Sequence, residues 1–68
     1  MLSITEVADK YGIMNAAQQA IREQLGIKLA IVPSGRRAQN EYSQRDLARL
    51  LTAANIIEID GEVFKKIG

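Results

Sequence analysis

Gly35-Arg36-Arg37-Ala38-Gln39-Asn40-Glu41-Tyr42-Ser43-Gln44-Arg45-Asp46-Leu47 joins a turn to the start of a helix, and its reading decides the fold. Gly35 closes the run Pro33-Ser34-Gly35, a punctuation that stops regular structure. Ser43 to Asp46 has the form of a capping box, in which a serine oxygen takes the free amide three residues on. Tyr42 and Leu47 flank it at the spacing of a hydrophobic staple. Between turn and cap, a short strand is predicted around residues 40–42. Upstream, Lys28-Leu29-Ala30-Ile31-Val32 is short and rich in β-branched residues, as expected of a strand running into the turn. The stretch therefore predicts a β-hairpin with two adjacent arginines in its loop, then a helix. In that helix Leu47, Leu50, Leu51 and Ala54 form the buried stripe, and Asn55 stands just past the end.

Two helices precede the hairpin. Ser3-Ile4-Thr5-Glu6 is a capping box, with Leu2 and Val7 as its staple. Ile4, Val7, Ala8 and Tyr11 recur at helical spacing, and Gly12 accepts the left-handed conformation that ends a helix. Asn15 is read as the cap of a second helix, with Gln18 three residues on. Ala17, Ala20, Ile21, Gln24 and Leu25 are assigned to its inner side. Ala16, Gln19, Arg22 and Glu23 are assigned to its outer side, with Gln18 at the margin, and Gly26 closes it. Two short helices across a glycine-initiated turn make a helix-turn-helix.

After the third helix, Asp60-Gly61 stands between Ile56-Ile57-Glu58-Ile59 and Glu62-Val63-Phe64, a strong hairpin signal. A two-residue turn pairs Ile59 with Glu62, and a three-residue turn pairs it with Val63. Both registers are open from the sequence. The expected fold is thus α+β in a single domain over residues 1–68: a small winged helix-turn-helix with three helices, a β-hairpin wing between helices two and three, and a C-terminal β-hairpin.

Composition narrows function. The 68 residues include neither cysteine nor histidine. No thiolate is present to attack a substrate or bind metal, and the commonest general base and metal ligand is missing. No carboxylate sits beside a suitable nucleophile, and no glycine-rich phosphate cradle occurs. The reading is a protein that is not an enzyme and needs no cofactor, metal or small-molecule effector. With no membrane span and no signal-like N-terminus, a cytoplasmic location is the expectation. Net charge is only +1, but residues 22–49 hold six basic side chains against three acidic ones. Cationic charge concentrated in the middle of a chain suits a local contact with an anion.

The candidate site follows from that segment. Arg36 and Arg37 at a hairpin tip present planar guanidinium groups to phosphates or a minor groove; the plainer alternative is that they solvate a turn, paired with Glu41. Gln18, Gln19 and Arg22 on the outer side of helix two have the chemistry that reads adenine and guanine edges in a major groove. Asn15 meets a phosphate at the helix N-terminus, and Lys28 adds a further positive charge. The plainer alternative for these is an ordinary polar helix face. Arg45 and Arg49 on helix three are read as surface residues with local partners such as Asp46 and Glu41. The expected partner is double-stranded DNA. One copy offers few phosphate contacts, so a homodimer or a cooperative array on DNA is anticipated.

Ile4-Thr5-Glu6-Val7-Ala8 with Tyr11-Gly12-Ile13, then Gly35-Arg36-Arg37 with Tyr42-Ser43-Gln44-Arg45-Asp46-Leu47, resembles the motif order of the MerR and excisionase group of winged helix-turn-helix proteins. The resemblance covers about residues 3–52. It implies that helix two enters the major groove and that the Arg36-Arg37 loop is the wing. It also implies an excisionase-like or regulatory role in a phage, plasmid or other mobile element. Ala17 to Arg22 departs from the Leu-Arg-Tyr-Tyr-like run of MerR regulators. The long dimerisation helix and effector domain of those regulators have no counterpart. A rival order makes residues 43–54 the reader and Asp60-Gly61 the wing tip, but it sets Asp60 and Glu62 where phosphates would lie. A second functional reading is a protein-interaction module, adaptor or inhibitor, using the C-terminal hairpin.

Overall fold

The computed structural model describes residues 2–35 and 37–65, without the side chains of Ser34 and Arg37. It is a small α+β fold of three helices and two separate antiparallel hairpins. The order is α1 (Ile4–Tyr11), α2 (Asn15–Leu25), β1 (Ala30–Ser34), β2 (Arg37–Glu41), α3 (Gln44–Ala53), β3 (Ile56–Ile59) and β4 (Glu62–Lys65).

Most helix ends obey their local chemistry. Ser3 forms the full capping box with Glu6: its hydroxyl accepts from the Glu6 amide at 3.2 Å, and the Glu6 carboxylate accepts from the Ser3 amide at 3.1 Å. Those bonds to Ser3 hold the Glu6 carboxyl below its ordinary pKa. Ser43 caps α3 by accepting from the Asp46 amide. Asn55 follows α3 with a φ of 59°, the left-handed form that asparagine tolerates better than most residues. The start of α2 differs from expectation. Met14 is its N-cap and makes no side-chain bond, and Asn15 is the first helical residue.

Strand positions shift too. β1 begins two residues later than predicted and runs through Pro33 to Ser34; β2 is Arg37–Glu41 rather than a segment near residues 40–42. Ser34 pairs with Arg37 and Ala30 with Glu41, so two residues separate the strands, of which Gly35 stands in a turn. Pairs in such a ladder alternate between hydrogen-bonded and non-bonded, starting bonded at the turn. Pro33, opposite Ala38, falls on a non-bonded pair. Its missing N–H therefore costs the ladder nothing, and proline does not stop the strand as the sequence suggested. In the second hairpin the two-residue register holds, with Ile59 opposite Glu62. Asp60 and Gly61 both have positive φ, 51° and 81°, as a type I′ turn demands.

The core is Val7, Tyr11, Ile13, Ile27, Tyr42, Leu50 and Ile56. Leu2, Ile4, Ile21, Leu25, Leu29, Leu47, Leu51 and Ala54 pack around it. The predicted α3 stripe is thus in place. The first hairpin is tied to the chain start: the Tyr42 amide donates to the Leu2 carbonyl at 2.9 Å, and Ser3 bridges to Glu41. No helix among the described residues is long and apolar enough to cross a membrane.

Candidate nucleic-acid interface

Helix α2 turns a different face inward from the one its hydropathy suggests. Gln18 is fully buried; Ile21, Arg22 and Leu25 are half-buried; Ala17, Ala20 and Gln24 are exposed. The inward stripe is 18, 21, 22, 25, a regular helical spacing rotated from the alanine-lined side. Gln18 is therefore not on an outer surface and cannot read a base, which corrects its assignment to the candidate site.

The reason lies in its partners. Gln18 Nε2 donates to the Ile13 carbonyl at 2.9 Å and to the Ile4 carbonyl at 3.1 Å. Its Oε1 accepts from the Tyr42 hydroxyl at 2.8 Å. A carboxamide is suited to this position, because it offers two donors and an acceptor without charge. It satisfies groups from α1, from the α1–α2 connection and from the segment between β2 and α3. No buried side-chain nitrogen or oxygen among the described residues lacks a partner.

Arg22 is drawn into the same network, which corrects its assignment to the outer side. Its guanidinium donates to the Tyr42 hydroxyl at 2.6 Å and lies 5.9 Å from the centre of the Tyr42 ring. The phenol thus accepts from Arg22 and donates to Gln18. Among the described residues no carboxylate pairs with Arg22; the two ion pairs found are Lys10–Glu58 and Arg49–Asp46. A half-buried guanidinium held by a neutral oxygen keeps several N–H donors and its full charge for another acceptor.

The remaining candidates divide. Asn15 and Gln19 are exposed on α2, and Gln19 donates to Glu23 at 3.4 Å. Glu23 thus occupies the same side as Gln19 and opposes phosphate there. Lys28 is exposed between α2 and β1. The backbone of Arg37 opens β2, while Arg36 and the Arg37 side chain lie outside the described residues. The structure brings Gln18 and Arg22 together at Tyr42, and leaves Asn15, Gln19 and Lys28 on the surface.

Sequence reasoning missed Tyr42 as the organising residue. Its available signal was a tyrosine at a staple position, whose buried hydroxyl needs partners from elsewhere. Arg49 follows expectation in part: it pairs with Asp46 at 3.2 Å and also donates to the Leu25 carbonyl at 2.9 Å, joining α3 to the end of α2. Comparison of the chain with protein-family models, with curated proteins and with solved structures finds no match.

Proposed function

We propose that this chain is a small cytoplasmic DNA-binding protein of the winged helix-turn-helix kind, similar to the MerR and excisionase group. In this reading α1 and α2 form the helix-turn-helix and β1–β2 is the wing. The observation that carries it is Arg22, a half-buried cation without a carboxylate partner among the described residues, set by Tyr42 at the base of the arginine-bearing hairpin. A partly desolvated positive charge in that state favours an anion, and duplex DNA supplies one every few ångströms. Arg22 then acts as a phosphate anchor rather than a base reader. Asn15 and Gln19 are left as the α2 residues that face a groove, with Lys28, Arg36 and Arg37 contributing charge. Gln18 acts only by holding the reading helix in place.

Fluorescence anisotropy with short duplexes tests this. Affinity should fall linearly on a log–log plot against salt. Replacing Arg36 and Arg37 together by alanine should lower the slope by about two, one for each lost phosphate contact. Binding that ignores salt, or no binding at low salt, rejects the reading.

A second reading, a protein-interaction module, is favoured by the second hairpin, whose Ile57, Ile59 and Phe64 are exposed. An NMR titration with duplex DNA separates the two. Shifts at residues 15–23 and 34–39 favour DNA binding; silence there, with a protein partner perturbing residues 56–65, favours the other.

A further inference from the structure

We propose that the outer face of α2 selects duplexes through adenine, read in the major groove by Gln19, with Glu23 orienting the Gln19 carboxamide and turning guanine away. This role rests on the DNA-binding reading above and names the base that the helix accepts.

The residues left on that face decide which base it suits. The exposed residues of α2 are three alanines, Asn15, Gln19, Glu23 and Gln24. Arg22, the one basic residue of the helix, is half-buried and bonded to the Tyr42 hydroxyl. Lys28 stands past the helix end. The surface that enters a groove therefore holds no guanidinium or ammonium. Guanine presents two acceptors there, O6 and N7, and the commonest contact to it is a bidentate arginine or lysine. Adenine presents an acceptor, N7, beside a donor, the N6 amino group. A carboxamide matches that pair with one N–H and its oxygen.

Gln19 and Glu23 act as a unit. Four residues apart, they are neighbours on the helix surface, and Gln19 Nε2 donates to Glu23 Oε1 at 3.4 Å. That bond takes one of the two amide hydrogens. It leaves the second hydrogen and Oε1, the pair that adenine requires. It also turns the nitrogen of the carboxamide toward Glu23 and the oxygen away. An ionised Glu23 has acceptors only, so it takes a hydrogen bond from an exocyclic amino group and repels guanine O6 and N7. The same carboxylate opposes the phosphates that every sequence shares, which weakens binding that lacks a base contact. Ala16 and Ala20, each three residues before a member of the pair, are exposed and small. They let the helix approach closely and offer methyl groups to the methyl of thymine.

Selection of duplexes from a random-sequence library by the intact chain at low salt, followed by sequencing, tests this. The bound pool should carry a position at which adenine is preferred over guanine by at least about tenfold, as one bidentate contact allows. Gln19→Ala should bring that position close to even and leave the rest of the site unchanged. Glu23→Ala should weaken the same preference while raising affinity for a random-sequence duplex at least about twofold. A glutamate that is only a surface charge would raise affinity and leave the preference intact, which overturns its orienting role. Arg22→Ala should lower affinity for all sequences alike, because Arg22 meets phosphate. Gln19 and Glu23 are exposed, and retained helical circular dichroism verifies that their variants fold. A pool with no adenine position, guanine preferred at the position that Gln19→Ala relaxes, or a preference lost in Arg22→Ala instead overturns the proposal, while salt-dependent DNA binding still stands. Absence of binding at low salt overturns the proposal together with the reading beneath it.

Discussion

The two hairpins have the same plan and opposite character. Each has two antiparallel strands around a two-residue turn. The first carries Gly35 at its tip and is anchored through buried polar atoms: Tyr42, immediately after β2, bonds Gln18, Arg22 and the Leu2 backbone. The second carries Asp60-Gly61 at its tip and is anchored by buried Ile56 and by Glu58, which pairs with exposed Lys10 and accepts from the hydroxyl of buried Tyr11. One hairpin is basic and locked into the core, and the other is acidic at its turn and apolar on its outer face.

The sharpest test of the difference in anchoring is Gln18→Ala. It empties buried volume and leaves the Ile4 and Ile13 carbonyls and the Tyr42 hydroxyl without their partner. Loss of buried hydrogen bonds together with a cavity should cost about 2–4 kcal/mol, read as a lower denaturation midpoint. Gln19→Ala, one residue along on the surface, should change stability by less than about 0.5 kcal/mol. Equal effects would mean that Gln18 does not hold the first hairpin to α2.

That contrast also shows where the sequence stops being legible. Ser3, Gly12, Gly26, Ser43, Asn55 and Asp60-Gly61 announced their turns and ends, because capping and positive φ are properties of a few adjacent residues. The α3 stripe was legible for the same kind of reason, since leucine has one preference and the helix one period. The face of α2 was not. Hydropathy sends glutamine outward and alanine inward, yet alanine is nearly indifferent to burial on a short helix. Gln18 goes inward because three polar groups from distant segments converge on it, a condition no local window contains. The end of β1 is not legible either, because proline reads as a stop and only the register shows it on a non-bonded pair. Of the candidate site residues, Gln18 and Arg22 are drawn inward by Tyr42, a contact no local window contains.

The turns give a smaller and more symmetrical comparison. Gly35 has a φ of 60° and Gly61 of 81°, with open space where a Cβ would stand. Alanine at either position meets no neighbour, so its cost is the backbone conformation alone, about 1–2 kcal/mol for a left-handed residue. Gly61→Ala should weaken the second hairpin without altering the Gln18–Tyr42–Arg22 cluster. Gly35→Ala should do the reverse, weakening the first hairpin and the proposed DNA affinity while leaving the second hairpin intact. Amide exchange read hairpin by hairpin checks both. Spread of either effect into the other hairpin would show that the two are coupled through the core and are not independent devices.

The smallest expected effect concerns the exposed anchor of the second hairpin. The hydrogen bond from Lys10 to Glu58 is the largest of the influences that raise the Lys10 pKa above its ordinary value. A group whose pKa is raised on folding stabilises the fold fully below its unfolded pKa, and that contribution is lost as pH rises through the folded value. The window is therefore alkaline, beginning above about pH 10. Because the pair is solvated, the effect is slight and shrinks with salt. It shows as a difference: the midpoint of the natural chain should fall faster between about pH 9 and 11 than that of Lys10→Met, at low ionic strength. If Lys10→Met left the alkaline slope unchanged, the second hairpin would be held by Ile56 and its neighbours alone. The contrast between the hairpins would then narrow from two kinds of polar anchor to one.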